Sequence, residues 1–456
     1  MSAKTLPRTT IVGAGLVGSL LATLLAQRGF EVEVFERRPD PRVHGFLGGR
    51  SINLALAERG LNALRKAGLA DAVLAQAVMM RGRMVHPLDG AANLQRYGLD
   101  DSEVIRSVSR GGLNILLLDA AERAGAALHF DAALAGADFT NATITLASHD
   151  GTSRAHPCGL LLGCDGAGSA LRAEMKKGAD LGERVEPLGH GYKELEIPSP
   201  GAGAFAIEPH ALHIWPRGHY MCIALPNTEG NFTVTLFLPA DGPYPSFATL
   251  PDVAAARRFF EAQFPDALAL MPAFDPDWNA HPVGQLATLY LDRWHLDGRA
   301  VLLGDAAHAI VPFHGQGMNA GFEDAAELAA LLAADPRDPA AVFAEFESRR
   351  KPNADAIAAM SLANYIEMRD GVADPHYLLK RELAAALTER ASGHFMSRYR
   401  MVSFTSIPYA TCVTRDREQT TLMESILAGH DGLDGIDLAA AAARLRQALP
   451  PLPEGA

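Results

Sequence analysis

The sequence predicts an α/β protein with a parallel-sheet domain, an antiparallel sheet and a C-terminal helical region. Residues 9–36 have the pattern of a strand, a glycine turn, a helix and a second strand, which is the unit of a parallel sheet. Residues 210–239 alternate apolar and polar side chains in three runs separated by turn residues, as antiparallel strands do. From residue 340 onward apolar residues recur at helical spacing. We expect breaks in that last pattern at Pro352, Pro375 and Pro408.

These patterns divide the chain into segments. We expect a parallel-sheet domain over 1–180 that carries a hairpin at about 82–98, an antiparallel-sheet domain over 181–285, a return to the first domain over 286–335, and a helical region over 336–456. The hairpin is expected to turn at Asp89-Gly90, because Asp-Gly favours a tight turn. Residues 51–80 are expected to be helical.

The composition is that of a globular protein with an acidic balance. Its 456 residues are 48% hydrophobic, and 41 Lys and Arg against 53 Asp and Glu give a net charge of -12. Such a balance argues against a nucleic-acid binder, which needs cations to replace the counterions of the phosphates. No apolar run reaches the roughly 18 residues of a spanning helix, so no membrane anchor is expected.

The cysteines and histidines give no sign of a metal site. The four cysteines include no C-x-x-C pair, which argues against a disulfide framework or a cysteine-rich zinc site and favours a reducing, cytoplasmic location. His210 and His213 would point to opposite faces of a strand, and no clustered carboxylate or thiol accompanies them.

The strongest motif is the glycine turn Gly13-Ala14-Gly15-Leu16-Val17-Gly18. A lone G-x-G-x-x-G is a weak signal, but a strand before it and a helix after it are the context of a dinucleotide-binding turn. In that context the first glycine permits the turn, the second lets a pyrophosphate approach, and the third lets the helix pack on the strand. Glu36 follows the second strand, where a carboxylate binds a ribose hydroxyl and repels a 2′-phosphate. The turn therefore suits FAD or NAD rather than NADP, and a turn without ligand is the alternative.

Two further segments place an aspartate at a strand end. Gly304-Asp305 follows an apolar strand and precedes the glycine-rich loop Gly315–Asn319. There the aspartate could bind a ribose or ribityl hydroxyl, and the next helix would present free N–H groups to a flavin that becomes anionic on reduction. An ordinary N-cap is the alternative for Asp305, and the loop beside it favours the flavin. Asp165-Gly166 taken alone is more often a capped strand–helix turn.

Together the three segments and their spacing resemble the single-component FAD aromatic hydroxylases over about residues 8–410. The resemblance implies a Rossmann-like FAD-binding domain with an antiparallel-sheet substrate domain. It is closest to the members that hydroxylate L-kynurenine, at GRSINLALAERG (49–60), SVSRGGLN (107–114), YKEL (192–195), FHGQGMNAGFED (313–324) and ANYIEM (363–368). The implied FAD contacts are Gly13, Gly15, Leu16, Val17, Gly18, Glu36, Arg37, Asn53, Arg110, Asp165, Asp305, Gly315, Gln316, Gly317, Met318 and Asn319.

The resemblance also implies a reaction. L-Kynurenine would become 3-hydroxy-L-kynurenine with NADPH and O2, through a flavin C4a-hydroperoxide, so no catalytic side chain is predicted. Only one dinucleotide turn is present, so NADPH is expected in a surface groove. The alternatives are another aromatic substrate, such as a hydroxybenzoate, and a flavin-fold binding protein without redox chemistry. A homodimer is compatible with the resemblance.

A kynurenine pocket needs a cation for the carboxylate and an apolar slot for the ring. Arg83 and Tyr97 lie on the two arms of the predicted hairpin, opposite each other to within one residue of register. Phe237 shares the less apolar face of its strand with two threonines, and Asn364 lies in an apolar helical stripe where an amide needs a partner. Ordinary packing is the alternative for each. The resemblance implies that Arg83, Tyr97, Asn364 and Tyr399 contact the substrate. Phe237 is added because a large aromatic on the less apolar face of a strand suggests a lined pocket.

Overall fold

The computed structural model describes residues 6–45, 53–369 and 375–453. Residues 49–52 of the motif quoted at 49–60 lie outside these ranges. The strands are β1 (Thr9–Val12), β2 (Val32–Phe35), β3 (Asn53–Leu56), β4 (Ala77–Met80), β5 (Gly82–Val85), β6 (Asn93–Arg96), β7 (Ile105–Ser109), β8 (Ala127–His129), β9 (Ala133–Asp138), β10 (Thr143–Ala147), β11 (Ser153–Pro157), β12 (Leu160–Gly163), β13 (Arg184–Ile197), β14 (Ala211–Pro216), β15 (Met221–Pro226), β16 (Phe232–Pro239), β17 (Gly284–Tyr290), β18 (His295–Leu296) and β19 (Ala300–Leu302).

The helices alternate with the first strands and then dominate the C-terminal part. They are α1 (Leu16–Ala26), α2 (Pro41–His44), α3 (Glu58–Lys66), α4 (Ala70–Leu74), α5 (Arg110–Arg123), α6 (Ala170–Lys176), α7 (Val253–Gln263), α8 (Pro265–Leu268), α9 (Phe274–Ala280), α10 (Asp305–His308), α11 (Gly317–Ala334), α12 (Pro339–Arg369), α13 (Pro375–Arg390), α14 (Arg398–Phe404), α15 (Tyr409–Leu427) and α16 (Leu438–Ala448). Among these described helices, none combines the length and apolarity needed to cross a membrane.

A six-stranded sheet forms the first domain, in the order β18-β19-β12-β1-β2-β8. All its pairs are parallel except β18 with β19. Every residue of β1 and β12 is buried, as expected for parallel strands covered on both faces. Helix α1 packs against α5 and α11 on this sheet, so its apolar run belongs to the core.

A seven-stranded sheet forms the second domain, in the order β17-β13-β16-β15-β14-β5-β6. It continues to Tyr290, beyond residue 285 where the sequence places its end. The predicted hairpin is present as β5 and β6, and β5 joins the sheet by pairing with β14 in parallel. Strand β16 alternates as predicted: Val234, Leu236 and Leu238 enter the core shared with α7–α9, whereas Phe237 lies on the opposite face.

Two expectations about secondary structure are wrong. Residues 51–80 are not uniformly helical, because β3 and β4 flank α3 and α4 and pair with β7. Pro352 does not end a helix but lies inside α12. A proline removes one backbone hydrogen bond, and the buried Phe346, Ala354 and Ile357 pack both halves of α12 firmly enough to tolerate that loss. Pro408 does precede a helix, α15, as predicted.

Candidate active site

Three loops that the sequence singles out meet at one edge of the six-stranded sheet. Strands β19, β12 and β1 are parallel neighbours, so their carboxyl ends lie side by side. The glycine turn follows β1, Asp165 follows β12, and Gly304-Asp305 follows β19. Ligands of open parallel sheets bind outside these strand ends, so this edge is the candidate cofactor site.

The glycines of the turn have the geometry that a dinucleotide-binding turn requires. Gly13 has φ 98°, in the left-handed region that favours glycine. A Cβ on Gly18 would lie 2.0 Å from the carbonyl oxygen of Gly13, so only glycine lets α1 approach the strand this closely. A Cβ on Gly15 would meet nothing within 4 Å, which leaves open space where a phosphate would approach the backbone.

The first residues of α1 pack against the second segment. Leu16 and Val17 are half-buried, and a Cβ on Gly304 would lie 3.2 Å from a methyl group of Val17. A Cβ on Gly321 of α11 would lie 2.7 Å from the same methyl group. The N-terminal turns of α1 and α11 therefore converge on the loop that carries Asp305.

Glu36 lies beside the glycine turn, at the end of β2. Its carboxylate accepts hydrogen bonds from the backbone N–H of Ala14 at 2.9 Å and from that of Arg38 at 3.0 Å. Arg37, the next residue, is exposed. The carboxylate is thus fixed at the position expected of a ribose-binding acid.

Two of the predicted cofactor residues have side chains that the protein itself uses. Asp165 caps α6, since its oxygens accept from the Ser169 hydroxyl at 2.6 Å and from the Leu171 N–H at 3.1 Å. Asp165 thus forms the capped strand–helix turn that the sequence analysis gave as the more common interpretation. The amide of Asn319 bonds three backbone groups at 2.8–3.0 Å and ties β3 to the loop before α11. These hydrogen bonds fix both side chains in place within the protein.

The loop around Asp305 and Gln316 offers polar groups that lack partners. Asp305 is exposed, and its carboxylate has no hydrogen bond or ion pair with the residues that the structure describes. Asn53 Oδ1 and Gln316 Nε2 are buried without a partner in the same described ranges. The pyrimidine edge of a flavin carries both donors and acceptors, so an unpartnered acceptor and an unpartnered donor fit it.

The remaining predicted cofactor residues surround these groups. Gly315 has φ 66°, α11 begins at Gly317, and Met318 is half-buried in its first turn. Arg110 is exposed at the start of α5, directly after Ser109, which pairs with Asn53 across β3 and β7. The first turn of α11 therefore faces this site with free backbone N–H groups and the positive end of its dipole.

A second constellation surrounds Arg83. Its guanidinium carbon lies 5.7 Å from the ring centre of Tyr97 and 5.2 Å from that of Tyr399. The Tyr97 and Tyr399 rings stack with centres 4.9 Å apart, and the His314 ring stacks on Tyr399 at 5.5 Å. The structure thus brings one arginine and three aromatic rings together. Arg83 comes from β5, Tyr97 from the loop after β6, His314 from the loop before α11, and Tyr399 from α14.

The predicted register of the hairpin is wrong by one residue. Arg83 pairs with Gln95, and the N–H of Tyr97 bonds the carbonyl of Arg81, so Tyr97 is offset from Arg83 by two residues. Because side chains alternate with a period of two, this even offset keeps both side chains on one face as diagonal neighbours.

Arg83 forms no salt bridge with any residue that the structure describes, although the Glu367 carboxylate acts on its charge from a longer distance. Burial opposes the charge, but the phenols of Tyr97 and Tyr399 and the carboxylate of Glu367 raise the pKa of Arg83 overall. A guanidinium held in an aromatic surrounding without a salt bridge is suited to receive a carboxylate from a ligand.

His314 belongs to this site although the sequence did not single it out as a ligand-binding residue. It is buried, and its Nδ1 atom has no partner among the described residues. Burial lowers the pKa of His314 to about 3, helped by the cations Arg398, Arg83 and Arg59, so the ring is neutral near pH 7. Its position directly before Gly315 is the one sequence signal that could have identified it.

A cluster of packed aromatic rings adjoins this constellation. The Phe237 and Phe313 rings lie 4.9 Å apart, and Phe313 packs on Tyr365 at 4.2 Å. Asn364 is 2% exposed and donates to the carbonyl of Phe313 at 2.7 Å, so this amide fixes the backbone of Phe313. Tyr192, which the sequence placed only within a motif, pairs directly with Phe237 across β13 and β16. No three His, Cys, Asp or Glu residues in the described ranges are placed to hold a metal ion.

Comparison with known proteins identifies the family. Residues 8–189 and 271–361 match the FAD binding domain family. The kynurenine 3-monooxygenase of Stenotrophomonas maltophilia is 56% identical to this chain over 98% of both chains. That of Xanthomonas axonopodis pv. citri is 55% identical over 97% of both, and that of Xanthomonas campestris pv. campestris is 53% identical over 100% of both. The chain belongs to the kynurenine 3-monooxygenase family. It is therefore an FAD-dependent monooxygenase, which confirms the predicted family and cofactor.

Solved structures confirm the fold. The tetrameric form of 2-methyl-3-hydroxypyridine-5-carboxylic acid oxygenase is 21% identical, with a TM-score of 0.65 over 82% of this chain and 96% of its own. A variant of Klebsiella pneumoniae HpxO, complexed with FAD, is 22% identical, with a TM-score of 0.63 over 80% of this chain and 91% of its own. This member of the kynurenine 3-monooxygenase family thus has the aromatic hydroxylase fold that the sequence predicted.

Proposed function

We propose that the protein hydroxylates L-kynurenine to 3-hydroxy-L-kynurenine. One oxygen atom of O2 enters the ring, the other leaves as water, and NADPH with a proton supplies the two electrons and the hydrogen. The observation that carries this proposal is the Arg83 guanidinium, which forms no salt bridge with any described residue and lies near the aromatic cluster of Phe237 and Phe313. Kynurenine has a carboxylate at one end and an aminated ring at the other, so it matches both parts of the site.

The sheet edge provides the proposed FAD site. The glycine turn would hold the ADP part with Glu36 at its ribose, Asp305 would hold the ribityl chain, and the loop Gly315–Asn319 would hold the flavin ring. The other residues predicted to contact FAD are Leu16, Val17, Arg37, Asn53, Arg110, Asp165, Gln316, Gly317 and Met318. Bound FAD supplies electron transfer and oxygen activation.

The chain's own residues orient the substrate and keep water out. Arg83 binds the carboxylate, with Tyr97 and Tyr399 flanking it, while Phe237 and Phe313 hold the ring. Asn364 positions Phe313 through its hydrogen bond. The N-terminal turn of α11 would stabilise negative charge on a reduced flavin bound there. The ring amine of kynurenine supplies electron density, so no protein nucleophile is needed.

The Asp305 carboxylate gives a direct test of the cofactor placement. Replacing Asp305 by alanine is expected to weaken FAD binding by about 1–3 kcal/mol, because a ribityl hydroxyl loses its acceptor. Asp305→Asn keeps an acceptor and should bind more tightly than Asp305→Ala. Affinity is measured by titrating apoprotein with FAD, and equal affinity in all three proteins would contradict the placement.

Rapid-mixing experiments test the substrate. Flavin absorbance is followed after mixing the oxidised protein with NADPH, alone and with kynurenine or a hydroxybenzoate, and the products are identified by mass spectrometry. Kynurenine should speed flavin reduction and yield 3-hydroxykynurenine, whereas the hydroxybenzoate lacks the amino-acid tail that Arg83 binds and should do neither. Hydroxylated benzoate without hydroxylated kynurenine would favour the alternative substrate. A purified protein without yellow colour would contradict FAD binding.

A further inference from the structure

We propose that the Glu103–Arg400 ion pair is a clamp that positions Tyr97 and Tyr399 around Arg83. Neither residue of the pair touches the substrate in this proposal, so both are positioning residues. The inference rests on the proposed function, because it assigns the clamp to the binding of the kynurenine carboxylate.

The pair joins segments that are far apart in the chain. Arg400 Nε donates to Glu103 Oε2 at 2.8 Å, and a terminal nitrogen of Arg400 donates to Glu103 Oε1 at 2.5 Å. The side chains are only 12% and 19% exposed, for Arg400 and Glu103 respectively. A two-pronged, largely buried contact of this kind is stronger and more directional than a surface pair.

Glu103 organises the loop that carries Tyr97. Its carboxylate accepts a second hydrogen bond from the N–H of Leu99 at 3.0 Å. A Cβ on Gly98 would lie 2.1 Å from the Cβ of Glu103, so the backbone next to Tyr97 packs directly against this side chain. Any movement of Glu103 is therefore transmitted to the residue beside Tyr97.

Arg400 is the neighbour of Tyr399 in α14, which has seven residues. A helix this short is not stable by itself, so its side-chain contacts decide its position. On the other side of Tyr399, Arg398 pairs with Glu367 of α12 at 3.0 Å and with Asp416 of α15 at 3.1 Å. Tyr399 is thus held between two arginines, and Arg400 is the one that ties it to the Tyr97 loop.

A cavity of about 460 Å³ borders the clamp. Glu103 and Arg400 line it together with Arg106 and Phe404, and the Phe404 ring lies 6.3 Å from that of Tyr399. Loosening the clamp would bring this polar, open space next to the aromatic surroundings of Arg83. The clamp therefore also keeps water away from the carboxylate-binding arginine.

A double-mutant cycle tests the clamp in the FAD-loaded enzyme. Glu103→Gln and Arg400→Gln should each raise the Kd and KM for kynurenine about tenfold, with kcat changed far less, because binding geometry rather than the reaction is disturbed. The double variant should also show about a tenfold effect rather than a hundredfold one, since the two residues act as a unit. Arg400→Lys keeps the charge without the planar fork and should fall between the parent and Arg400→Gln.

The same loop offers a matched control. Asp101 makes a two-pronged ion pair with Arg81 at 2.9 Å, but it is exposed and does not reach α14. Asp101→Asn should leave the kynurenine Kd unchanged. FAD content and NADPH oxidation without substrate should equal those of the parent in every variant, and a loss of FAD would show that the pair supports the fold instead.

Parallel measurement of Arg83→Ala separates this inference from the proposed function. If Arg83→Ala loses kynurenine binding while both Gln variants bind normally, the clamp is wrong and the proposed function stands. A double variant whose increase in the kynurenine Kd equals the product of the two single increases would also overturn the clamp. If Arg83→Ala binds kynurenine like the parent, the proposed carboxylate site itself fails.

Discussion

Replacing Arg83 by alanine is expected to weaken kynurenine binding by roughly 2–5 kcal/mol, because a desolvated carboxylate would lose its charged partner. Arg83→Lys should be nearly as damaging, since an ammonium cannot reproduce the planar, two-pronged contact of a guanidinium. Binding is measured from the change in flavin absorbance on titration with kynurenine, and turnover from product formation.

FAD content provides the control for Arg83. The residue lies on β5, outside the three cofactor loops, so FAD content and substrate-free NADPH oxidation should be those of the parent protein. Loss of FAD in Arg83→Ala would mean that the arginine serves the cofactor, and unchanged kynurenine affinity would contradict the carboxylate role.

Replacing Asp324 by asparagine is expected to destabilise the protein by about 3–5 kcal/mol, because it breaks a buried ion pair. Asp324 is fully buried and accepts from the N–H of Gly304 at 3.0 Å, from His308 Nε2 at 2.6 Å and from Arg350 Nε at 2.7 Å. It therefore holds the loop before Asp305 in place, and the variant should also lose FAD. Denaturant unfolding and FAD content measure the two effects.

An exposed pair between the same two helices gives a control for Asp324. Arg349 of α12 pairs with Glu327 of α11 at 2.6 Å on the surface, where ion pairs contribute little. Glu327→Gln should leave the unfolding transition and the FAD content unchanged. An Asp324→Asn protein that unfolds like Glu327→Gln would contradict the structural role of Asp324.

The stability that Asp324 contributes should decrease at low pH. Burial alone would raise the pKa of Asp324, but His308 and Arg350 lower it from the usual 3.8 to about 2. A carboxyl whose pKa is lowered by folding contributes all of its stability above the unfolded value and loses it as the pH falls. The stability difference between parent and Asp324→Asn should thus shrink as the pH falls from about 4 to about 2.

The sequence by itself determined the features that depend on local geometry. The glycine turn needs Gly13 in a left-handed conformation and a close approach at Gly18, and few residue types permit either. The alternation around Phe237 is equally local, so the sequence predicts it correctly. The hairpin is present as well, but residues 86–92 connect its strands in place of the tight Asp-Gly turn that the sequence predicted. Such signals lie within a few residues of each other, where sterics and side-chain periodicity decide the outcome.

Only the tertiary structure decided which residues distant in the chain contact one another. The sequence cannot show that the polar atoms of Asp165 and Asn319 are already bonded within the protein, because their partners depend on how the loops pack. The even offset of Tyr97 from Arg83 follows from the hairpin register, which the loop length sets. Glu103 and Arg400 are 297 residues apart, and no periodicity relates them. Long-range pairs form because the packed core brings their backbones together, and that placement is a property of the whole fold.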